Sequence, residues 1–237
     1  MYIYGKNVAR EKLNTNTPIS KAYISNKFKD QDLIDKLKEK KVKINFVDNI
    51  ILDKKVSGLH QGIILEIDDI KTYTLCELLE SIKDKHNPRL VMLDHIEDPH
   101  NFGAIIRTSE ALGIDGIIIP NNRAVGITPT VIKTSAGAIE YIKIIKVSNL
   151  QSTIKKLKDN NFWIIGTDMQ GENYTKIDYN IPICLVIGNE GKGMSKIIKN
   201  NCDFIATIPM SGKINSLNAS VSCGIILSQI VNQDQNG

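Results

Sequence analysis

The stretch Leu90–Pro120, LVMLDHIEDPHNFGAIIRTSEALGIDGIIIP, decides the fold class. It opens on an unbroken apolar run, Leu90–Leu93, and turns through Asp98-Pro99-His100-Asn101-Phe102-Gly103. Ala104–Leu112 then reads as a helix and Gly116–Ile119 as a second apolar strand. Strands that show no polar alternation are covered on both faces, the pattern of a parallel sheet wrapped by helices. Strand, helix and strand in that order form one βαβ unit of an α/β fold.

The same alternation continues toward the C-terminus. Thr130–Ile139 reads as a helix, with Pro129 well placed at its start, and Ile142–Val147 as a strand. Leu150–Asn160 reads as a helix with Ile154 and Leu157 inward; Trp163–Gly166, Ile183–Ile187 and Phe204–Ile208 read as strands, and Leu217–Val231 as a closing helix. Upstream lies a smaller α/β unit, with helices over Asn7–Leu13 and Asp30–Lys41 and strands over Ala22–Ser25, Lys43–Val47 and Gly62–Ile67. Between the two, Asp68–Arg89 is polar, with a weak helical stripe of Leu75, Leu78, Leu79 and Ile82 and a charged end. The expected layout is one unit over residues 1–70, a linker over 71–88 and a parallel-sheet domain over 89–237.

Composition narrows the function classes. Hydrophobic residues are 42% and charged residues 24%, as in soluble globular proteins. No apolar run reaches the roughly 18–20 residues of a membrane span. The start, Met1–Asn7, lacks the basic and apolar regions of a signal peptide, so a cytoplasmic protein without a membrane partner is expected. Cys76, Cys184, Cys202 and Cys223 form no C-x-x-C pair, which points to free thiols and no metal site. The net charge of +4 is compatible with a polyanionic partner without requiring one. Arginine occurs only at positions 10, 89, 107 and 123, and only those side chains offer a planar, bidentate cation.

Three segments have the residue types of a site. The first, Asp94–Gly113, leaves a buried strand and enters a helix; Arg107 stands near its loop, and Asp98 or Asn101 can cap the helix. The second, Leu185–Ser195 (LVIGNEGKGMS), runs from a strand into a loop with Gly188, Gly191 and Gly193. It has neither the phosphate-loop nor the dinucleotide spacing, and Glu190 would repel a phosphate, so a cationic or hydroxyl-rich ligand suits it better. The third, Ile208–Gly224 (IPMSGKINSLNASVSCG), places Pro209 and Met210 after a strand and Ser216, a plausible N-cap, before a helix of small residues. Each segment taken alone is also explained by an ordinary strand–turn–helix connection.

Their order and spacing resemble the SpoU-type (TrmH-type) 2′-O-ribose RNA methyltransferases of the SPOUT class, over about residues 88–232. Upstream, Ile3–Leu13 and Gly58–Ile67 resemble the small ribosomal-protein-like RNA-binding domain of members that methylate a guanosine of 23S rRNA. The resemblance implies an α/β parallel-sheet domain closed by a deep trefoil knot, S-adenosyl-L-methionine as cofactor, RNA as substrate and a homodimer. It matches Gly188, Ile208 and Leu217 to positions whose backbone holds the cofactor, with Gly191, Met210, Glu190 and Asn218 in the same set. Asn101, Arg107, Glu190, Ser216 and Asn218 match the polar residues of the three family motifs, and Arg107 takes the catalytic role. His95 and His100 match no motif position and read as loop residues. A tRNA substrate and a non-catalytic RNA-binding protein of the same fold are the alternatives. A nucleotide-dependent oxidoreductase is disfavoured by the missing glycine fingerprint.

Overall fold

The computed structural model describes residues 1–15, 18–213 and 216–235. The first unit comprises β1 (Tyr2–Tyr4), α1 (Lys6–Leu13), β2 (Ile19–Ser25), α2 (Gln31–Glu39), β3 (Lys43–Val47), α3 (Asn49–Lys55) and β4 (Ile63–Ile67). Its sheet has the order β1-β4-β2-β3, with β2 and β3 parallel and the other pairs antiparallel. Asp30 caps α2 by accepting the Leu33 amide, so the acid that begins the expected helix stands just outside it.

The second unit follows as α4 (Leu75–Ile82), β5 (Arg89–Asp94), α5 (Pro99–Ala111), β6 (Gly116–Pro120), α6 (Pro129–Thr134), β7 (Lys143–Val147), α7 (Leu150–Lys158), β8 (Trp163–Asn173), β9 (Ile183–Gly188), α8 (Lys196–Lys199), β10 (Phe204–Thr207) and α9 (Ala219–Gln235). Its six strands, in the order β10-β8-β9-β5-β6-β7, are all parallel. Side chains alternate between two cores, as a pleat requires: Val91 and Leu93 join one, Leu90 and Met92 the other. Both faces are therefore covered, which is why these strands lack polar alternation. Among the described residues no helix is long and apolar enough to cross a membrane.

Within residues 71–88 the stripe of Leu75, Leu78, Leu79 and Ile82 forms α4: Thr74 and Glu77 make a capping box that starts it, and Leu78 and Ile82 pack into the second core. Two local expectations are corrected. The helix expected over residues 130–139 ends at Thr134, because the backbone turns left-handed at Ala136 (φ 49°) before a short 3-10 turn over Ala138–Glu140. Finally, α5 begins at Pro99 rather than Ala104, with Asp98 as its cap.

The two units share one apolar core. It runs from Ile3, Val8 and Leu13 into Ile106, Val131 and Ile139. Beside it the Lys12 ammonium pairs with the Glu140 carboxylate, both side chains at most 10% exposed.

Candidate functional site

In an all-parallel sheet the carboxyl ends of the strands lie on one edge. Here β5 and β9 are neighbours, yet the chain leaves β5 toward β6 and leaves β9 toward the other side, where β10 lies. Diverging connections open a crevice between two strand ends, the position where open α/β sheets bind ligands. The segments after β5, β9 and β10 meet there.

Asn101, on the first turn of α5, is 7% exposed and joins all three. Its Nδ2 donates to Glu190 Oε1 (2.8 Å), and its Oδ1 accepts from Asn218 Nδ2 (2.9 Å). Asn218 Oδ1 in turn accepts the Ser220 amide (2.9 Å) and hydroxyl (2.6 Å) and the Val221 amide (3.3 Å). Asn218 is thus the N-cap of α9, and Ser216, expected there, is an exposed residue two positions earlier. The reason is reach: the helix starts at Ala219, and a cap must stand directly before it. Ile214 and Asn215 of the third segment lie outside the described residues.

The loop after β9 is tied to its own root. Asn189 and Gly193 exchange both backbone hydrogen bonds (3.1 and 2.9 Å), while Asn189 Oδ1 accepts the Gly191 and Lys192 amides (3.0 and 3.2 Å). Asn189 Nδ2 donates to the His95 carbonyl (2.9 Å), fixing this loop to the one after β5. At Gly188 a Cβ would stand 2.4 Å from the backbone of Gly193 and Met194, so only glycine lets the loop fold back. Exposed Gly191 sits at the open tip.

Two supporting residues escape a reading of the sequence. Asp94, 1% exposed, pairs through Oδ1 with His95 Nδ1 (2.6 Å) and accepts the Ser195 amide on Oδ2 (2.7 Å). Its signal is a lone acid closing an apolar strand. Asn189 is the other, and its signal is an Asx turn preceding the glycines. His95, expected to be a plain loop residue, sits at this edge with a left-handed backbone (φ 63°).

The segment after β10 is built differently. Among the described residues, Ile208, Met210 and Leu217 commit no backbone hydrogen bond to the rest of the chain. Met210 and Leu217 also expose 40% and 36% of their surface.

Arg107 lies outside the polar chain. It is exposed on α5, six residues after Asn101, hence about 9 Å farther along the axis and on a different face. The acid that senses its charge is Glu11 on α1: burial pushes the Glu11 carboxyl up from the usual range, and Arg107 pulls it back. The arginine expected from sequence to be catalytic is therefore an exposed residue within electrostatic reach of the first unit.

Comparison with known proteins identifies the family. Residues 88–228 match the model of the SpoU rRNA Methylase family, and residues 2–73 match that of RNA 2′-O ribose methyltransferase substrate binding. YacO of Bacillus subtilis, assigned to the TrmH family of tRNA/rRNA methyltransferases, is 39% identical over 234 residues, covering 97% of this chain and 94% of its own. The SpoU methyltransferase AviRb of Streptomyces viridochromogenes, solved with its cofactor AdoMet, superposes with a TM-score of 0.81 at 22% identity, over 100% of this chain and 91% of its own. The TrmH/SpoU tRNA modifying enzyme of A. aeolicus gives 0.59 at 31% identity, over 68% of this chain and 83% of its own. With three loops assembled at the carboxyl edge and both units matched, this chain belongs to the SpoU rRNA methylase family of RNA methyltransferases.

Proposed function

We propose that this protein transfers a methyl group from S-adenosylmethionine to a ribose 2′-hydroxyl of RNA, with a guanosine of 23S rRNA as its target. The observation that supports this best is the chain Glu190–Asn101–Asn218, which binds three loops into one polar floor at the crevice. The match of residues 2–73 to a 2′-O ribose methyltransferase substrate-binding model favours the ribose, and the rRNA family model favours rRNA over tRNA.

The residues present fit the cofactor. The backbone groups of Ile208, Met210 and Leu217, which commit no hydrogen bond among the described residues, can serve its polar edges, and the exposed side chains of Met210 and Leu217 its apolar faces. Gly188, Glu190 and Gly191 complete the set from the loop after β9, and Asn218 from the cap of α9. S-adenosylmethionine supplies an already activated, electrophilic methyl on a sulfonium. What remains for the chain is to position the weakly acidic ribose hydroxyl and to stabilise the alkoxide that develops. Asn101 fixes the loops that define that position. Arg107 provides the positive charge, a planar guanidinium fork that stabilises the developing oxyanion. Ser216 lines the approach to α9.

The enzyme is a cytoplasmic homodimer in this reading. The second copy has a candidate face in the open groove of about 680 Å³ between α5 and α9, which is lined by Ala104, Thr108, Ser220 and Gly224 among others.

The test is transfer of isotopically labelled methyl from S-adenosylmethionine into 23S rRNA and tRNA, followed by digestion to nucleosides. The expected product is 2′-O-methylguanosine from 23S rRNA. Label on a base, label in tRNA alone, or no label in any RNA contradicts the proposal.

A further inference from the structure

The first unit has a second concavity, far in sequence from the crevice. It encloses about 440 Å³ between the start of α1, the turn after β2 and the loop before β4. Lys6, Lys27 and Lys29 contribute three ammonium groups, and no carboxylate is found among the described residues that line it. Phe28 supplies an aromatic ring, with the Lys6 ammonium 5.0 Å from its centre. Leu59, on the rim, is 78% exposed.

The walls are fixed by their own bonds. Gln61 (φ 52°) accepts the Lys6 amide on Oε1 at 2.8 Å, tying the loop to α1. His60 Nδ1 accepts the Gly62 amide (2.9 Å), and its Nε2 faces Asp53 Oδ1 on α3 (3.0 Å). The imidazole thus braces the loop, while Lys6, Lys27 and Lys29 line the cavity with positive charge. At Gly62 a φ of 84° and a Cβ that would stand 2.9 Å from the Phe28 ring both demand glycine. A fixed ring and exposed leucine framed by cations form a recurrent arrangement for unstacked nucleotides: base against the apolar surface, phosphates on the lysines.

The location suits the chemistry. Lys6 opens α1, and Glu11 and Lys12 close it against the second unit. Eight helical residues span about 12 Å, so α1 sets a short, rigid distance between this cavity and the surroundings of Arg107.

We infer that this cavity grips one unstacked nucleotide of single-stranded RNA, with Phe28 and Leu59 against the base and Lys6, Lys27 and Lys29 on the flanking phosphates. The inference rests on the RNA-methyltransferase reading and adds the place where the substrate is held.

The experiment uses the full-length protein and measures its binding to a labelled short single-stranded RNA, and to the matching duplex, over a range of salt. The double variant Lys27→Ala/Lys29→Ala should bind the single strand about tenfold more weakly. Its salt slope should fall by about 1.4, or about 0.7 for each phosphate no longer neutralised. Leu59→Ser should weaken binding by about fivefold or more without changing the slope. A charge-matched control on α7, Lys155→Ala/Lys156→Ala, should leave both quantities unchanged, and affinity for S-adenosylmethionine should stay the same in all variants. Wild-type binding by both cavity variants, equal loss in the control, or equal loss on the duplex overturns the inference. If wild-type protein methylates RNA in any of those cases, only the cavity is rejected. If wild-type protein neither binds nor methylates RNA, the functional reading fails as well.

Discussion

The two sheets hold their polar groups in opposite ways. At the carboxyl edge of the six-stranded sheet, Asp94, Asn101, Asn189 and Asn218 are each bonded at both ends of the side chain, mostly to other loops. On the four-stranded sheet, ammonium groups stand over aromatic rings: Lys6 over Phe28, Lys55 over Tyr2 and Tyr23. Fixed polar groups suit a reaction with one productive geometry. Cations on flexible stems suit a polyanion that must be held. On the proposed function the labour is divided between the units, while the shared core and the Lys12–Glu140 pair join them.

The largest expected effect is on the bond between the units. Lys12→Ala leaves the Glu140 carboxylate buried without its ammonium, which should cost about 3–5 kcal/mol. Thermal unfolding should then start roughly 6–20 °C lower. An unchanged midpoint would mean that the units are held together by apolar contact alone. Next comes Arg107. Arg107→Ala should lower methyl transfer about a hundredfold or more, with S-adenosylmethionine affinity unchanged by calorimetry. Arg107→Lys keeps the charge and loses the planar fork, and should recover only part of that loss. Wild-type turnover in the lysine variant would remove Arg107 from the chemistry.

Asn101→Ala should have a smaller effect on stability, about 1–3 kcal/mol, because it strips both Glu190 and Asn218 of a partner. Its signature is on the cofactor: S-adenosylmethionine affinity should fall about tenfold as the three loops lose register. An unaltered affinity would show that the loops hold their positions without the polar chain. The smallest effect concerns thiols. Burial pushes the Cys202 and Cys223 thiols up to about 12 and raises Cys184 as well, while Cys76 is exposed on α4. Mass spectrometry after brief alkylation at mildly alkaline pH should find one labelled residue, Cys76. Labelling of Cys184 or Cys223 would indicate a second sheet that opens readily.

What is legible in the sequence follows the range of the interactions. The buried strands are readable because their centres, such as Leu90–Leu93 and residues 117–119, are runs of consecutive apolar residues. Asn101, Glu190 and Asn218 are readable as members of three spaced motifs, although the bonds that join them span 89 and 117 residues and nothing local announces them. The Lys12–Glu140 pair spans 128 residues and leaves no mark. Local chemistry misleads as well. The capping box at Thr74 and Glu77 is present in the sequence, but polar composition suggests a linker. Ser216 is as good a cap as Asn218 by residue type, and only the start of α9 decides between them. Glycine at position 188 suggests room for a ligand, whereas its own loop occupies that space.

The proposed ribose methylation of RNA belongs to the crevice at the edge of the parallel sheet. Its most direct test is a transcriptome-wide map of 2′-O-methyl groups in cells with and without the gene, complemented by the wild-type protein or by Arg107→Ala. A single 2′-O-methylguanosine of 23S rRNA should disappear on deletion, return with the wild type and stay absent with the variant. An unchanged map, or full restoration by Arg107→Ala, would contradict the claim.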